Sequence, residues 1–223
     1  MTSFERDGYL HFARALDNHD LTRIEEIAAV GRPGVRLSST SLKPISDLLD
    51  VSGPVGSIVT ELIGGAAFPV RAIMFDKSPA ANWSLGWHQD RTICVAERID
   101  VEGFGPWTVK QGQLHVQPPQ DLLERMITLR IHLDDVPIDN GPLLVIKDTH
   151  RLGKLTEDRI ADLVAESDVA THLAQRGDVW AYRTPIVHAS ASAASGYTAR
   201  RVLQLDYSRE SLPGGLRWAF CAW

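Results

Sequence analysis

Hydrophobic residues recur at helical spacing in the first part of the chain. Within the segment 18–30, Leu21, Ile24 and Ile27 follow one another at intervals of three behind a capping Asn18, which predicts an amphipathic helix. The same reasoning predicts a short strand at 9–13 and helices at 45–49 and 55–63, the last ended by Gly64 and Gly65. The first part of the chain is therefore expected to be mainly helical.

From residue 68 the pattern changes to short β-prone runs separated by Gly, Pro, Asn and Asp. Strands are predicted at 70–75, 107–109, 113–116, 127–133, 143–146, 179–182 and 202–207, and helices at 119–125 and 157–166. Many short strands within 223 residues suggest one domain, built as a sandwich or barrel. We expect a mainly β fold, a double-stranded β-helix (jelly-roll) barrel with flanking N-terminal and inserted α-helices. The helical part would cover about 1–67 and the jelly-roll core about 68–208 of the single domain 1–223.

The run 127–134 alternates strictly between apolar and polar residues. Its apolar face carries Ile127, Leu129, Ile131 and Leu133, and its polar face carries Thr128, Arg130, His132 and Asp134. One interpretation is that the polar face lines an active-site mouth, where Arg130 and His132 recognise an anionic group. The alternative is a strand whose polar face meets solvent, as is common in antiparallel sheets.

Two further residues are candidates for substrate contact. Arg71 lies in a predicted strand that precedes the other candidate functional residues. Trp107 lies in the loop 95–117, within an insert (101–119) that combines aromatic residues with Gly and Pro. Because long loops in compact domains often carry function, this insert is expected to act as a lid over a site.

Composition and charge exclude several classes of protein. Hydrophobic residues make up 44% of the chain and charged residues 23%, which is typical of an ordinary globular protein. A formal net charge of −5 argues against a nucleic-acid partner, and no apolar run is long enough for a membrane span, so we expect a cytoplasmic protein. The two cysteines, Cys94 and Cys221, are too far apart to suggest a disulfide framework and are expected to be free thiols.

Three residues have the types and spacing of a metal site. His88 and Asp90 are two positions apart, so an extended strand would point both side chains to the same face. His188 follows the predicted strand 179–182 after a turn, and a second strand could deliver it to the same place. Two histidines and one carboxylate form the facial triad of non-haem Fe(II) oxygenases, although a lone His-x-Asp pair is more often only a hydrogen-bonding pair.

A longer series of motifs surrounds these residues. Trp87-His88-Gln89-Asp90 is followed by Asn140-Gly141-Pro142-Leu143-Leu144-Val145-Ile146 with a later His150, then by Arg176-Gly177-Asp178, His188-Ala189-Ser190 and Arg200-Arg201. This order of motifs resembles the phytanoyl-CoA dioxygenase family of Fe(II)/2-oxoglutarate-dependent oxygenases. The resemblance covers roughly 68–207, but the loop 95–117 has no counterpart in it.

The resemblance implies roles for individual residues. His88, Asp90 and His188 match the family's iron ligands and would be the catalytic centre. An Arg shortly after the last histidine binds the distal carboxylate of 2-oxoglutarate in the family. Arg200 is the first candidate and Arg201 the alternative, since neighbours on a strand face opposite ways. Ser190 matches a hydroxyl residue that supports the same carboxylate. Gln89 is a further candidate for cosubstrate contact, although its middle position points it away from the metal.

The function that follows is a 2-oxoglutarate-dependent dioxygenase using Fe(II) and dioxygen. It would hydroxylate an unactivated C–H bond of a small organic substrate while 2-oxoglutarate is oxidatively decarboxylated to succinate and CO2. Arg130 and His132 favour a carboxylated or phosphorylated substrate. Two alternatives remain open: a catalytically inactive jelly-roll binding protein, and a cupin-type metal-dependent isomerase or hydrolase. The latter usually carries a His-x-His pair, which this chain lacks.

Overall fold

The computed structural model describes residues 2–27, 34–78, 81–194 and 199–220. Its strands are β1 (Tyr9–Phe12), β2 (Val35–Arg36), β3 (Phe68–Lys77), β4 (Leu85–His88), β5 (Ile93–Val95), β6 (Trp107–Lys110), β7 (Gln113–Val116), β8 (Ile127–His132), β9 (Leu143–Ile146), β10 (Val169–His172), β11 (Val179–Arg183), β12 (Val187–Ser190) and β13 (Arg200–Ser208). The helices are α1 (Ser3–Asp7), α2 (Asn18–Ile27), α3 (Ser39–Leu42), α4 (Ser46–Leu49), α5 (Gly56–Ile63), α6 (Gln120–Glu124) and α7 (Glu157–Glu166). The last three positions of the predicted helix 18–30, and Cys221, lie outside the described residues.

Antiparallel strands form a six-stranded sheet in the order β1-β11-β8-β13-β3-β2 and a four-stranded sheet in the order β10-β9-β12-β4. Side chains of the two sheets touch: the rings of Tyr182 and His188 lie 5.6 Å apart, and those of His172 and Trp180 stack at 3.8 Å. The sheets therefore face each other as in a jelly roll. The edge strands of the larger sheet are β1, which matches the strand predicted at 9–13, and β2, which was not predicted.

The larger sheet is apolar on its outer face and polar on its inner face. Leu129, Ile131, Leu203 and Leu205 pack outward in one hydrophobic core with helices α2 to α5. On the inner face β8 and β13 set Arg130 opposite Gln204. Because β8 is buried on both faces, the interpretation of its polar side as solvent-facing is wrong.

The insert 101–119 contains an antiparallel hairpin, β6 and β7. It joins β5 in a separate three-stranded sheet. Trp107 packs against the hydrophobic cluster of this sheet, beneath the guanidinium of Arg98 at 5.4 Å. The hairpin therefore has a core of its own that fixes its position.

Within the described residues, no helix has the length and apolar character that crossing a membrane requires.

Gly177, two residues before β11, lies close to the backbone of Leu16. It has φ 91°, and a Cβ there would lie 2.7 Å from the carbonyl oxygen of Leu16. Gly64, which ends α5 at φ 74°, has nothing within 4 Å of such a Cβ. Both positions favour glycine, but only Gly177 also lacks space.

We expect Gly177→Ala to lower the free energy of unfolding by about 3 kcal/mol, because left-handed strain and a backbone clash act together. Gly64→Ala should lower it by only about 1 kcal/mol, through strain alone. Urea unfolding of the two variants measures the difference. Equal losses at both positions would contradict a close approach at Gly177.

Candidate active site

His88, Asp90 and His188 meet between two strands of the smaller sheet. Strand β4 ends at His88, which lies opposite His188 of β12 in the strand register. The two imidazole rings are 4.3 Å apart at their centroids. Each of the three residues offers a ligand atom, and these atoms lie within 4.8 Å of one another. The expected cluster therefore forms, because antiparallel pairing joins residues a hundred positions apart.

Backbone carbonyls fix the orientation of both imidazoles. Nδ1 of His88 donates to the carbonyl of Gly86 at 2.7 Å, and Nδ1 of His188 donates to that of Ile186 at 2.9 Å. A proton held on Nδ1 leaves the Nε2 lone pair free for a metal ion. Burial lowers the pKa of His188 to about 4, so its ring is neutral at physiological pH. Neutral imidazole is the form that binds a metal.

Arg71 of β3 connects the carboxylate of the cluster to the larger sheet. Its Nη2 donates to Oδ2 of Asp90 at 3.0 Å, and it also forms an ion pair with Asp206 of β13. Burial opposes ionisation of Asp90, but Arg71 and the two histidines outweigh it and hold the pKa of Asp90 below its ordinary value. Arg71 therefore orients Asp90 and keeps it charged; it is not free to bind another anion.

The amide of Gln89 is committed to the backbone. Its Nε2 donates to the carbonyls of Gly153 and Pro185, each at 2.9 Å, and its Oε1 accepts from the amide of Leu155 at 2.9 Å. These bonds anchor the His88-Gln89-Asp90 segment to neighbouring loops. Gln89 therefore positions the ligands on either side of it.

A cavity of about 380 Å³ is lined in part by the three candidate metal ligands. Its lining combines His88, Asp90 and His188 with the inner face of the larger sheet. There Arg130 donates to Oε1 of Gln204 at 2.9 Å and lies 5.2 Å from the ring of Phe75. No carboxylate among the described residues pairs with Arg130. It is therefore available to a bound anion, as the alternation of 127–134 suggested.

A second group of buried cations lies beside Ser190. Lys77, at the end of β3, donates from Nζ to Oγ of Ser190 at 3.2 Å and to the carbonyl of Ala191. Arg200 is its register partner on β13, is 2% exposed, and has no carboxylate partner among the described residues. Burial, with Arg200 and Arg130 nearby, lowers the pKa of Lys77 to about 7, and burial with Arg130 lowers that of Arg200 to about 9.

Arg201 faces the opposite way from Arg200. It forms ion pairs with Asp134 at 2.7 Å and with Glu25 at 2.8 Å, outside the inner face of the sheet. The two adjacent arginines thus face opposite ways by strand alternation: within the described residues Arg200 has no counter-ion, whereas Arg201 is paired twice.

Two of the candidate substrate residues lie away from the cavity lining. His132 is buried deeper between the sheets, and burial followed by Arg130 and Arg200 lowers its pKa well below the ordinary value. Trp107 is half-buried and packs against the hydrophobic cluster of the hairpin sheet. Arg71 does line the cavity, but its charge is taken up by Asp90 and Asp206.

Sequence reasoning missed several charged residues of this region: Lys77, Asp206, Arg36 and Lys110. Lys77 and Asp206 could have been found, because they continue the period-two faces of β3 and β13 that carry Arg71 and Arg200. Arg36 and Lys110 left no such signal, since β2 is two residues long and the hairpin packs there through tertiary contacts.

The fold and the grouping of His88, Asp90 and His188 define a class of protein. Its members are mainly β jelly rolls with two histidines and one carboxylate at the centre. The family model for phytanoyl-CoA dioxygenase (PhyH) matches residues 54–202, more than half of the 223 residues. The chain belongs to this family. No significant match was found among curated protein sequences.

Solved structures of similar fold agree with this assignment. AviO1 from Streptomyces viridochromogenes Tue57 has a TM-score of 0.65 at 18% identity, over 94% of this chain and 93% of that chain. EctD from S. alaskensis with 2-oxoglutarate and 5-hydroxyectoine has a TM-score of 0.67 at 15% identity, over 92% of this chain and 73% of that chain. The epimerase SnoN in complex with Fe3+, alpha ketoglutarate and nogalamycin RO has a TM-score of 0.64 at 15% identity, over 95% of this chain and 88% of that chain. The predicted family and jelly-roll fold are confirmed.

We expect Arg71→Met to weaken Fe(II) binding by about 10- to 100-fold, because Asp90 loses the partner that orients it. The variant should also lose about 3–5 kcal/mol of stability, because the buried carboxylate of Asp206 loses its counter-ion. Fluorescence-detected metal titration and urea unfolding measure the two effects.

The double variant Arg71→Met/Asp206→Asn separates these effects. Removing the unpaired carboxylate should restore much of the stability while Fe(II) affinity stays low. Wild-type Fe(II) affinity in Arg71→Met would contradict the orienting role.

Proposed function

We propose that this protein is an Fe(II)- and 2-oxoglutarate-dependent dioxygenase that hydroxylates a small organic substrate. The observation that carries the proposal is the cluster of His88, Asp90 and His188 in the lining of a cavity that also contains Arg130, which no carboxylate of the described residues pairs with. Membership of the phytanoyl-CoA dioxygenase family supports it. So do the solved relatives EctD with 2-oxoglutarate and SnoN with Fe3+ and alpha ketoglutarate.

The donor set suits iron. Two imidazoles and one carboxylate on one side of an ion leave the opposite side open, which is the arrangement of non-haem Fe(II) oxygenases. A structural zinc site would instead be closed by four protein ligands. When bound, iron and 2-oxoglutarate supply the oxidising power: dioxygen is consumed, 2-oxoglutarate yields succinate and CO2, and one oxygen atom enters a substrate C–H bond.

Arg200, Lys77 and Ser190 would bind the distal carboxylate of 2-oxoglutarate. Arg200 presents a planar donor fork that no carboxylate of the described residues pairs with. Lys77 adds a second charge, and Ser190 adds a hydroxyl two residues beyond His188. An anionic ligand offsets the mutual repulsion of these cations, which otherwise disfavours their burial. The positive charge of Arg200 and Lys77 therefore suits the distal carboxylate of 2-oxoglutarate.

The protein's other contribution is orientation. Gly86 and Ile186 hold the histidine tautomers, Arg71 holds Asp90, and Gln89 fixes the loop between two ligands. Arg130 would face the reacting end of the substrate from the inner face of the larger sheet. Because no carboxylate in the described parts of the chain pairs with Arg130, an anionic substrate is favoured.

Anaerobic titration of the Fe(II)-loaded protein with 2-oxoglutarate tests the proposal. We expect a visible charge-transfer band in wild type and none in His188→Ala, which lacks one ligand. The folded state of the variant is checked by circular dichroism. Fe(II)-loaded wild-type protein without the band would favour a metal-dependent isomerase or hydrolase, and protein without bound metal would favour a binding protein.

Arg200 and Arg201 form a matched pair for the cosubstrate site. Arg200→Met should raise the Kd for 2-oxoglutarate by about 100-fold, because a charge-assisted bidentate contact is lost. Arg201→Met should leave this Kd within about twofold while lowering stability through Asp134 and Glu25. The charge-transfer titration gives both constants. A reversal of the two results would assign the cosubstrate to Arg201.

A further inference from the structure

The cavity lining contains a pair of cations, Arg36 and Lys110, whereas Ser190 and Arg200 are not part of this lining. Arg36 belongs to β2, at the edge of the larger sheet, and Lys110 ends β6 of the inserted hairpin. Both line the same cavity as His88 and Asp90. Neither the motifs nor the reaction described above uses them.

Side-chain amides hold the hairpin against β2. Gln111 donates from Nε2 to the carbonyl of Gly34 at 2.8 Å, and its Oε1 accepts from the amide of Arg36 at 3.0 Å. Gln113 adds a bond from Nε2 to the carbonyl of Leu37 at 2.9 Å. These three bonds connect two segments distant in sequence. They keep Lys110 beside Arg36.

The two charges have no counter-ion in the parts of the chain that the structure describes. Nη1 of Arg36 is buried without a hydrogen-bond partner. The carboxylate in the cavity lining, Asp90, is engaged by Arg71. Burial and the charge of Arg71 lower the pKa of Arg36, and burial together with Arg36 and Arg71 lowers that of Lys110. Placing like charges together costs stability, and a bound anion removes this cost.

The neighbours of this pair do not supply the missing negative charge. His115 of β7 is buried behind them, and burial, followed by Arg36 and Arg71, lowers its pKa to about 3. Arg91, also in the cavity lining, adds a further cation and donates to the carbonyl of Leu155. Among the lining residues within the described ranges, five are cationic (Arg36, Arg71, Arg91, Lys110 and Arg130) and one is a carboxylate (Asp90).

We propose that Arg36 and Lys110 form an outer anion subsite that binds a phosphoryl group of the substrate. A guanidinium fork and an ammonium point charge together match a dianionic phosphoryl group, whereas a carboxylate would balance only one of the two charges. The subsite fixes one end of the substrate, while the other end lies over the site formed by His88, Asp90 and His188. This orientation of the substrate rests on the proposed function; the anion binding itself does not.

Methyl phosphate is the probe for this subsite, and acetate is the carboxylate comparison. The full-length protein is loaded with Mn(II) and saturating 2-oxoglutarate, so that the cosubstrate cations are occupied, and is titrated calorimetrically at pH 8 and low salt. We expect wild type to bind methyl phosphate at least about tenfold more tightly than acetate. Arg36→Met and Lys110→Met should each weaken methyl phosphate binding by about 10- to 100-fold.

Arg98→Met is the matched control. Arg98 also lies beside the hairpin, but it is exposed, pairs with Asp100 and is not part of the cavity lining. Its replacement should leave methyl phosphate binding unchanged. Wild-type affinity in Arg36→Met or Lys110→Met, or equal binding of acetate and methyl phosphate, would overturn the phosphoryl subsite.

Thermal unfolding distinguishes a binding role from a structural one. Relief of like-charge repulsion should raise the Tm of ligand-free Lys110→Met by a few degrees, and methyl phosphate should raise the Tm of wild type but not of the variant. A lower Tm in Lys110→Met would indicate a structural role and overturn the proposal. Methyl phosphate binding with this variant dependence, but without a charge-transfer band from Fe(II) and 2-oxoglutarate, would overturn the proposed reaction and leave the subsite standing.

Discussion

The buried ion pairs of Arg71 hold the metal cluster and the larger sheet in one arrangement. Arg71 reaches Asp90 on one side and Asp206 on the other, while Thr128 donates to Asp206 at 3.1 Å from the neighbouring strand. Burial of such charges is expensive, and partners that satisfy each of them offset this cost. These contacts extend from a metal ligand through β3 and β13 to β8. The position of Asp90 is thereby tied to the register of the sheet.

The two faces of the larger sheet have different roles: the outer face packs in the hydrophobic core, and the inner face lines the candidate site. Its outer face contributes apolar residues to the core beneath the N-terminal helices. Its inner face carries polar and charged residues that lack full compensation, as Arg200 and Arg130 show. Because the core lies on the other side of the sheet, the inner face can hold such residues without loss of the fold. Strand alternation assigns each residue to one role, and Arg200 and Arg201 are the clearest case.

Much of this organisation could be predicted from the sequence, for physical reasons. The alternation of 127–134 predicted the two faces of β8, and the order of the His88, Asp90 and His188 motifs predicted a jelly roll of the phytanoyl-CoA dioxygenase family. Helix α7 was predicted with the bounds found, because Thr156 caps it by accepting from the amide of Arg159. Local pattern was sufficient wherever a long periodic segment or a cap decided the structure.

The remainder depended on tertiary contacts that leave no local trace. Strand β1 was predicted at 9–13, but β2 is a two-residue edge strand that exists only through pairing with β3, so no local pattern predicted it. The hairpin of the insert packs Trp107 against the hydrophobic cluster of its sheet and places Lys110 at the cavity. The side-chain amides of Gln111 and Gln113 hold the hairpin there through distant carbonyls. Gln89 lies between two ligands in sequence, yet its amide bonds to distant carbonyls. Spacing alone does not specify such partners.

The central claim is that His88, Asp90 and His188 together hold iron beside 2-oxoglutarate. Anomalous diffraction at the iron edge, from crystals grown anaerobically with Fe(II) and 2-oxoglutarate, tests it most directly. The account predicts one strong peak among Nε2 of His88, Nε2 of His188 and a carboxylate oxygen of Asp90, with the far end of 2-oxoglutarate at Arg200. A peak at other residues, or an iron ion bound without His188, would contradict it.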